Sequence, residues 1–221
     1  MLAGGRPPAG FSNDRKYGPS AISHGTGRAA RIARSATDRI QTKAVSWTMT
    51  GPEPFAVSMP HMSDGLRVRD FHADYAPALA EIFHRAVHEI ARQHYTEEQM
   101  HAWSPSVPSP ARFIDWGLDG RTFLVALDQT NKPVAFGDLE ADGHIDHLFC
   151  DPDFAGTGVT ARLYHALEER AREQHIALLY VEASEPARRF FLRQGFTTIE
   201  RRDFEIAGVP IHNYRMEKRL I

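Results

Sequence analysis

A chain of 221 residues with 42% hydrophobic content can bury one substantial core and carry an appendage, and its lack of any apolar run near 18 residues argues against a membrane span. A single cysteine, Cys150, excludes an internal disulfide and fits a reducing, cytoplasmic setting, and the twelve histidines fall singly, with no zinc-site spacing, so no metal is expected. The net charge of −2 divides into +5 over residues 1–61 and −7 over the remainder, and the acidic balance of that larger part argues against nucleic acid as the partner.

Residues 1–61 are rich in Gly, Pro, Ser, Thr and Arg and poor in large apolar side chains, so they offer little burial against the entropy of ordering. Only "GRAARIARSATDRIQ" (27–41) has helical spacing, with Ile32, Ala36 and Ile40 on one face. The segment reads as a disordered extension, or as sequence ahead of a start at Met59 or Met62. An Arg-rich, acid-poor targeting peptide is the other reading. The folded domain is expected over 62–221.

From Leu66 the pattern becomes regular. "LRVRDF" alternates and predicts a strand. Residues 76–93 place Leu79, Ile82, Phe83, Ala86, Val87 and Ile90 at helical spacing, an amphipathic helix. "TEEQMHAW" predicts a short helix with Thr96 as N-cap, and after the loop "SPSVPSP" comes a turn of helix around "RFIDWGL". "RTFLVALD" and "PVAFGDLE", joined by "QTNK", predict a hairpin, and "HIDHLFC" a further strand. A helix over 159–175 follows, burying Val159, Leu163, Leu167 and Ala171. Then come strand "LLYVEA", helix "PARRFFLRQ" closed by Gly195, and strands "FTTIERRDFEI" and "IHNYRMEKRL" around "AGVP". The fold class is mixed α/β: about seven strands, antiparallel early with one βαβ crossover, flanked by about four helices.

The most informative stretch is "LFCDPDFAGTGVTARLYHAL", a strand, an Asp-Pro-Asp turn, two glycines and a helix. Gly156 and Gly158 permit positive φ and remove side chains, so the backbone N–H groups of residues 155–160 can converge at the positive end of the helix on a phosphate or pyrophosphate. A P-loop would need a lysine that is absent here. A dinucleotide fingerprint is formally met by Gly156, Gly158 and Ala161, but several residues separate the strand end from the first glycine. A turn that only packs helix on strand is the plain structural alternative.

The run Leu148-Phe149-Cys150-Asp151-Pro152, followed by Ala155-Gly156-Thr157-Gly158-Val159-Thr160, resembles the acetyl-CoA-binding motif of the GNAT N-acetyltransferase superfamily, Q/R-x-x-G-x-G/A after a strand ending L-x-V-x-P. The family's downstream N-x-x-A-x-x-x-Y-x-x-x-G-F appears as Ser184, Ala187, Phe191, Gly195 and Phe196. The resemblance spans roughly residues 66–220 and points to a small bacterial branch. It implies acetyl transfer from acetyl-CoA to a primary amine of a small molecule or peptide, by direct attack in a ternary complex, in a monomer or homodimer. Ala155 and Thr160 depart from the motif without removing the backbone amides. Ser184 stands for the Asn that often contacts the cofactor, and Phe191 for the Tyr that often protonates the leaving thiolate. The loss of that hydroxyl keeps open a non-catalytic acyl-CoA-binding or sensor module of the same fold.

Such a fold would use the backbone of Leu148, Phe149 and Cys150 to orient the thioester, and a base to take the ammonium proton. Strict alternation places His144, Asp146 and Leu148 on one face and Ile145, His147 and Phe149 on the other, making His144 and Asp146 the candidate bases. Cys150 as a covalent nucleophile lacks a histidine partner at any telling spacing. The acceptor amine would lie against the first two helices, where His88, Tyr95, Trp103 and Trp116 are available.

Overall fold

The computed structural model describes residues 65–220 together with a two-residue strand, Leu2–Ala3. The extension expected over 1–61, with its helical stretch at 27–41, otherwise lies outside the described residues. The strands are β1 (Leu2–Ala3), β2 (Arg67–Asp70), β3 (Thr122–Leu127), β4 (Pro133–Leu139), β5 (Leu148–Cys150), β6 (Leu178–Ala183), β7 (Thr197–Ile206) and β8 (Val209–Arg219). The helices are α1 (Ala76–Arg85), α2 (Glu97–Trp103), α3 (Pro110–Leu118), α4 (Val159–Glu173) and α5 (Glu185–Arg193). One sheet orders the strands β2-β3-β4-β5-β1-β6-β8-β7. Among the described residues no helix is long and apolar enough to cross a membrane.

Local chemistry explains most boundaries. The β3–β4 turn is closed by Asp128, whose Oδ1 accepts from the backbone N–H of Thr130 at 2.8 Å and of Lys132 at 2.9 Å. Thr96 caps α2 in a reciprocal box with Gln99, each side chain accepting from the other's backbone N–H. The helix predicted over 76–93 departs from plan: after Arg85 it widens into a π-helical turn, with the Ala91 N–H reaching Ala86 O, and ends in a 3-10 turn at Gln93. Ser109 caps α3, which runs nine residues where only a turn was predicted.

The sheet carries a core on each face. Leu148, Cys150, Val159, Leu163, Leu167, Val181 and Phe191 pack beneath α4 and α5. Leu79, Phe83, Phe113, Phe136, Phe149 and Ile211 pack beneath α1 to α3. The second face is the helical-hairpin side, on which Tyr95 and Trp103 also lie.

In its middle the sheet is continuous only through the short strand Leu2–Ala3. The arm leading into β5 runs parallel to β6 and meets it at one bridge, His144 with Tyr180, where Ile145 N donates to Tyr180 O at 2.9 Å. Gly143 makes that approach possible: a Cβ there would sit 2.0 Å from Leu178 O. Beyond the bridge β5 and β6 diverge. Leu2–Ala3 lies between them, pairing antiparallel with Phe149 and Leu148 on one side and with Ala183 on the other.

Candidate active site

The divergence of β5 from β6 leaves a gap spanned by Leu2–Ala3, and β5 leads from this cleft between the strands into the glycine turn. There Asp151 accepts from Asp153 N at 3.0 Å, and Thr157 donates through Oγ1 to Phe154 O at 2.7 Å. Gly156 has φ +80 and Gly158 φ +88, and Gly158 is the N-cap of α4 with no side-chain cap. A Cβ built on either glycine meets nothing within 4 Å. The glycines therefore serve the left-handed backbone and an open space, not a tight packing contact. Val159 and Thr160 turn their side chains inward and are buried, so residues 155–160 offer the space mainly backbone N–H groups. A helix N-terminus open in this way accepts an anion of phosphate size.

Arg85 holds this turn from the other face, a contact that nothing in the local sequence signals. Its Nη1 donates to Asp151 Oδ1 at 2.8 Å and its Nε to Glu89 Oε1 at 2.9 Å. Alongside lies a cavity of about 530 Å³ lined by Ile90, Gln93, His94, Pro152, Ala155 and Pro186, joining the turn to the ends of the first helix and the start of α5.

The arm before β5 corrects the predicted alternation. Asp138 N donates to His147 O and Glu140 N to His144 O, so two residues of β4's side span three on the arm. The extra residue is a bulge, and its amide is satisfied by Asp138 Oδ1, 2.8 Å from His147 N. In consequence Ile145, Leu148 and Cys150 go into the core beneath α4, whereas His147 packs with Trp116, Phe136 and Phe149 under the helical hairpin. Leu148 does not share a face with His144 and Asp146, as strict alternation required; His147 does.

A polar network results. His144 is 5% exposed, stacks on Tyr180, and lies 2.7 Å through Nε2 from Glu182 Oε2 and 3.2 Å through Nδ1 from Glu140. Burial alone would lower its pKa. The hydrogen bond and charge of Glu182, with Asp146 and Glu140, outweigh that and hold it above the usual value. Asp146 sits 3.4 Å from both Arg121 Nη1 and His147 Nδ1. Arg121 also binds Asp138 at 2.8 Å, and His147 Nδ1 meets Asp138 Oδ2 at 2.7 Å. Asp138, Asp146 and His147 converge closely enough to ligate a cation, but Arg121 already supplies their positive charge. Glu182, which opposes His144, went unnoticed in the sequence because a lone Glu in "LLYVEA" carries no signal of its partner.

The remaining predicted residues are placed as follows. Phe149 faces the hairpin core, stacked on Phe136, and Cys150 is wholly buried, its thiol pushed up by burial. Ser184 is the buried N-cap residue of α5. Phe191 is buried against Tyr164 and Phe196. Tyr95 donates to His212 O at 3.1 Å and accepts from Glu185 N at 3.0 Å, with Trp103 edge-on to its ring. Its burial pushes the phenol up to about 12. His88 is engaged with Ser104 O at 2.8 Å, away from the arm. The structure thus gathers His144, Asp146 and the 148–150 backbone at the cleft, with Tyr95 at its β6 end.

Comparison with known proteins follows this geometry. Residues 91–218 match the model of the acetyltransferase (GNAT) domain. A GCN5-related N-acetyltransferase from Rhodopseudomonas palustris superposes with TM-score 0.65 at 32% identity, over 71% of this chain and 96% of that one. The uncharacterized N-acetyltransferase YafP of Escherichia coli (strain K12) is 29% identical over 69% of this chain and 95% of its own length. A PaiA N-acetyltransferase from Thermoplasma acidophilum, solved in complex with coenzyme A, shares the fold with TM-score 0.57 at 17% identity, covering 70% of this chain and 99% of that one.

Proposed function

We propose a route of acetyl transfer for this chain, which belongs to the GNAT acetyltransferase family and is an N-acetyltransferase. Family membership implies acetyl-CoA as the donor. The reading adds that the acceptor is the primary amine of a small molecule or peptide, attacking directly, and that the pair His144–Glu182 receives its proton. The observation that carries it is that β5, whose far edge is paired only by the two residues Leu2–Ala3, leads directly into the turn before α4, whose N-terminus at Gly158 has no side-chain cap.

Each part has a physical task. The amides of residues 155–160 would hold the pyrophosphate, with Gly156 and Gly158 leaving space that a side chain would fill. The edge of β5, Leu148 to Cys150, would pair with the extended arm of the donor in the place now taken by Leu2–Ala3, and its N–H groups would stabilise the oxyanion. Ser184 would close the far side of the cleft. The amine nitrogen bonds to the acetyl carbon as the carbon–sulfur bond breaks. Its extra proton passes to Glu182 and His144, and coenzyme A leaves as thiolate. Tyr95 and Trp103 would wall the acceptor, with His88 shaping the helix behind them. The buried, reduced Cys150 suits a cytoplasmic enzyme.

A second reading, an acyl-CoA-binding module without turnover, is favoured by one observation: Phe191 places no hydroxyl near the cleft. Release of free thiol from acetyl-CoA across a panel of primary amines separates the two. Amine-dependent release supports transfer. Tight coenzyme A binding without release at any amine supports the module.

A further inference from the structure

Three carboxylates crowd the approach to the glycine turn, and one guanidinium answers all of them. Asp151 and Asp153 lie on the turn that leaves β5, and Glu89 lies on the π-helical turn after α1. Glu89 and Asp153 line the cavity of about 530 Å³ together with Ala155, the residue before Gly156. Arg85 Nη1 donates to Asp151 Oδ1 at 2.8 Å, Nη2 to Asp153 Oδ1 at 3.3 Å, and Nε to Glu89 Oε1 at 2.9 Å. Among the described residues, the hydrogen bonds that tie residues 76–93 to residues 151–158 all come from this side chain. Arg92 lines the same cavity but forms no ion pair with the three carboxylates. The Asp153 side chain is 74% exposed and has no partner but Arg85 among the described residues.

We propose that Arg85 is a positioning residue for the donor, which fixes the phosphate-binding turn against the first helix and cancels the carboxylates that would repel the donor's pyrophosphate. The inference rests on the acetyl-CoA reading of that turn. Asp153 stands three residues before Gly156, a span of at most about 11 Å, close to the Debye length of about 10 Å at 0.1 M salt. An anion at the head of α4 therefore feels these charges at ordinary ionic strength. The planar fork explains why an arginine serves here. Two of its nitrogens reach the two turn carboxylates while the third keeps Glu89, and a lysine would offer only one point charge. An Asp-Pro-Asp turn can thus precede an anion site without opposing it.

The experiment is calorimetric titration of the full chain and its variants with coenzyme A, and with pantetheine as the phosphate-free arm. Arg85→Met is expected to raise Kd for coenzyme A about tenfold at low salt and to leave Kd for pantetheine within about twofold. The coenzyme A deficit should shrink to about threefold at 0.5 M salt, because screening removes repulsion. Adding Asp153→Asn to Arg85→Met should recover much of the lost affinity, a rescue that the loss of a merely structural contact would not show. Asp153→Asn alone, at an exposed side chain, should tighten coenzyme A about twofold, and it keeps the proposal testable if Arg85→Met does not fold. Unchanged coenzyme A affinity in both single variants overturns the proposal. So does an equal loss for coenzyme A and pantetheine, or a deficit that neither salt nor Asp153→Asn reduces. A parent chain that binds coenzyme A no tighter than pantetheine would sink the donor-site reading itself, and the proposal with it.

Discussion

His144 Nε2 lies 2.7 Å from Glu182 Oε2, across the point where the arm before β5 and strand β6 begin to part. The pair joins the two strands that flank the cleft, and Glu182 is held from its other oxygen by Arg202 at 3.0 Å. In the proposed mechanism histidine and carboxylate together would accept the proton, one residue from each side of the cleft.

The pH profile follows from that pair. A base works when neutral, and Glu182 holds the His144 pKa above 6.5, so the acidic limb of kcat/KM should lie above 6.5. His144→Gln and Glu182→Gln are each expected to lower kcat/KM by about 10²–10³ at pH 6–7 and by far less above pH 9, where the amine deprotonates unaided. Asp146→Asn, whose carboxylate is already engaged by Arg121 and His147, should cost about tenfold or less. Equal losses at pH 6 and pH 9.5 would remove the pair from proton transfer.

Stability should move the opposite way. A histidine whose folded pKa is raised contributes stability that is complete below its unfolded value and lost as pH rises through the folded one. His144 and His147 both have this sign, the latter lifted, against burial, by the charge of Asp138. Melting temperature should therefore decline from about pH 6.5 upward, and His144→Gln should flatten part of that decline. An unchanged slope in the variant would show the His144–Glu182 pair to be energetically neutral.

The glycine turn gives a cleaner separation of folding from binding. Gly156→Val introduces a side chain into space that no protein atom contests, at φ +80, where the strain is of order 1–2 kcal/mol. The variant should fold, with a melting temperature lower by a few degrees, and should lose the thermal shift given by coenzyme A. Full retention of that shift would make the turn purely structural.

Leu2–Ala3 pairs with the backbone of Phe149 and Leu148 that the donor would use. A chain truncated to begin at Met62 should fold and turn over as the parent does, with coenzyme A affinity equal or tighter, because a competing strand is gone. Calorimetric titration of both chains checks this. Weaker binding by the truncated chain would mean that residues 1–61 build part of the site.

Cys150 is wholly buried and donates to its neighbour Asp151 O at 3.3 Å, with its pKa pushed up. It is unsuited to be a nucleophile. Cys150→Ala should keep kcat/KM within about threefold while losing about 1–2 kcal/mol of stability. An acetylated protein on brief exposure to acetyl-CoA, absent from that variant, would require a covalent intermediate instead.

The order of elements and the glycine turn at the head of α4 could be read from the residues alone. Period-2 and helical spacing are local properties, and Gly156 and Gly158 dictate backbone conformation through their own missing side chains, so both are written in contiguous residues. The sequence also marked His144 and the 148–150 edge, because the family motif lies beside them. Only the tertiary structure decided which groups surround them. The bulge between Glu140 and His147 arises from pairing with β4 and reverses the faces that strict alternation gives, moving Leu148 away and His147 in. Glu182 lies 38 positions from His144, Arg202 comes from a further strand, and Arg85 reaches Asp151 across 66 positions. Contacts of that kind are set by sheet order and burial, which no short window of residues contains.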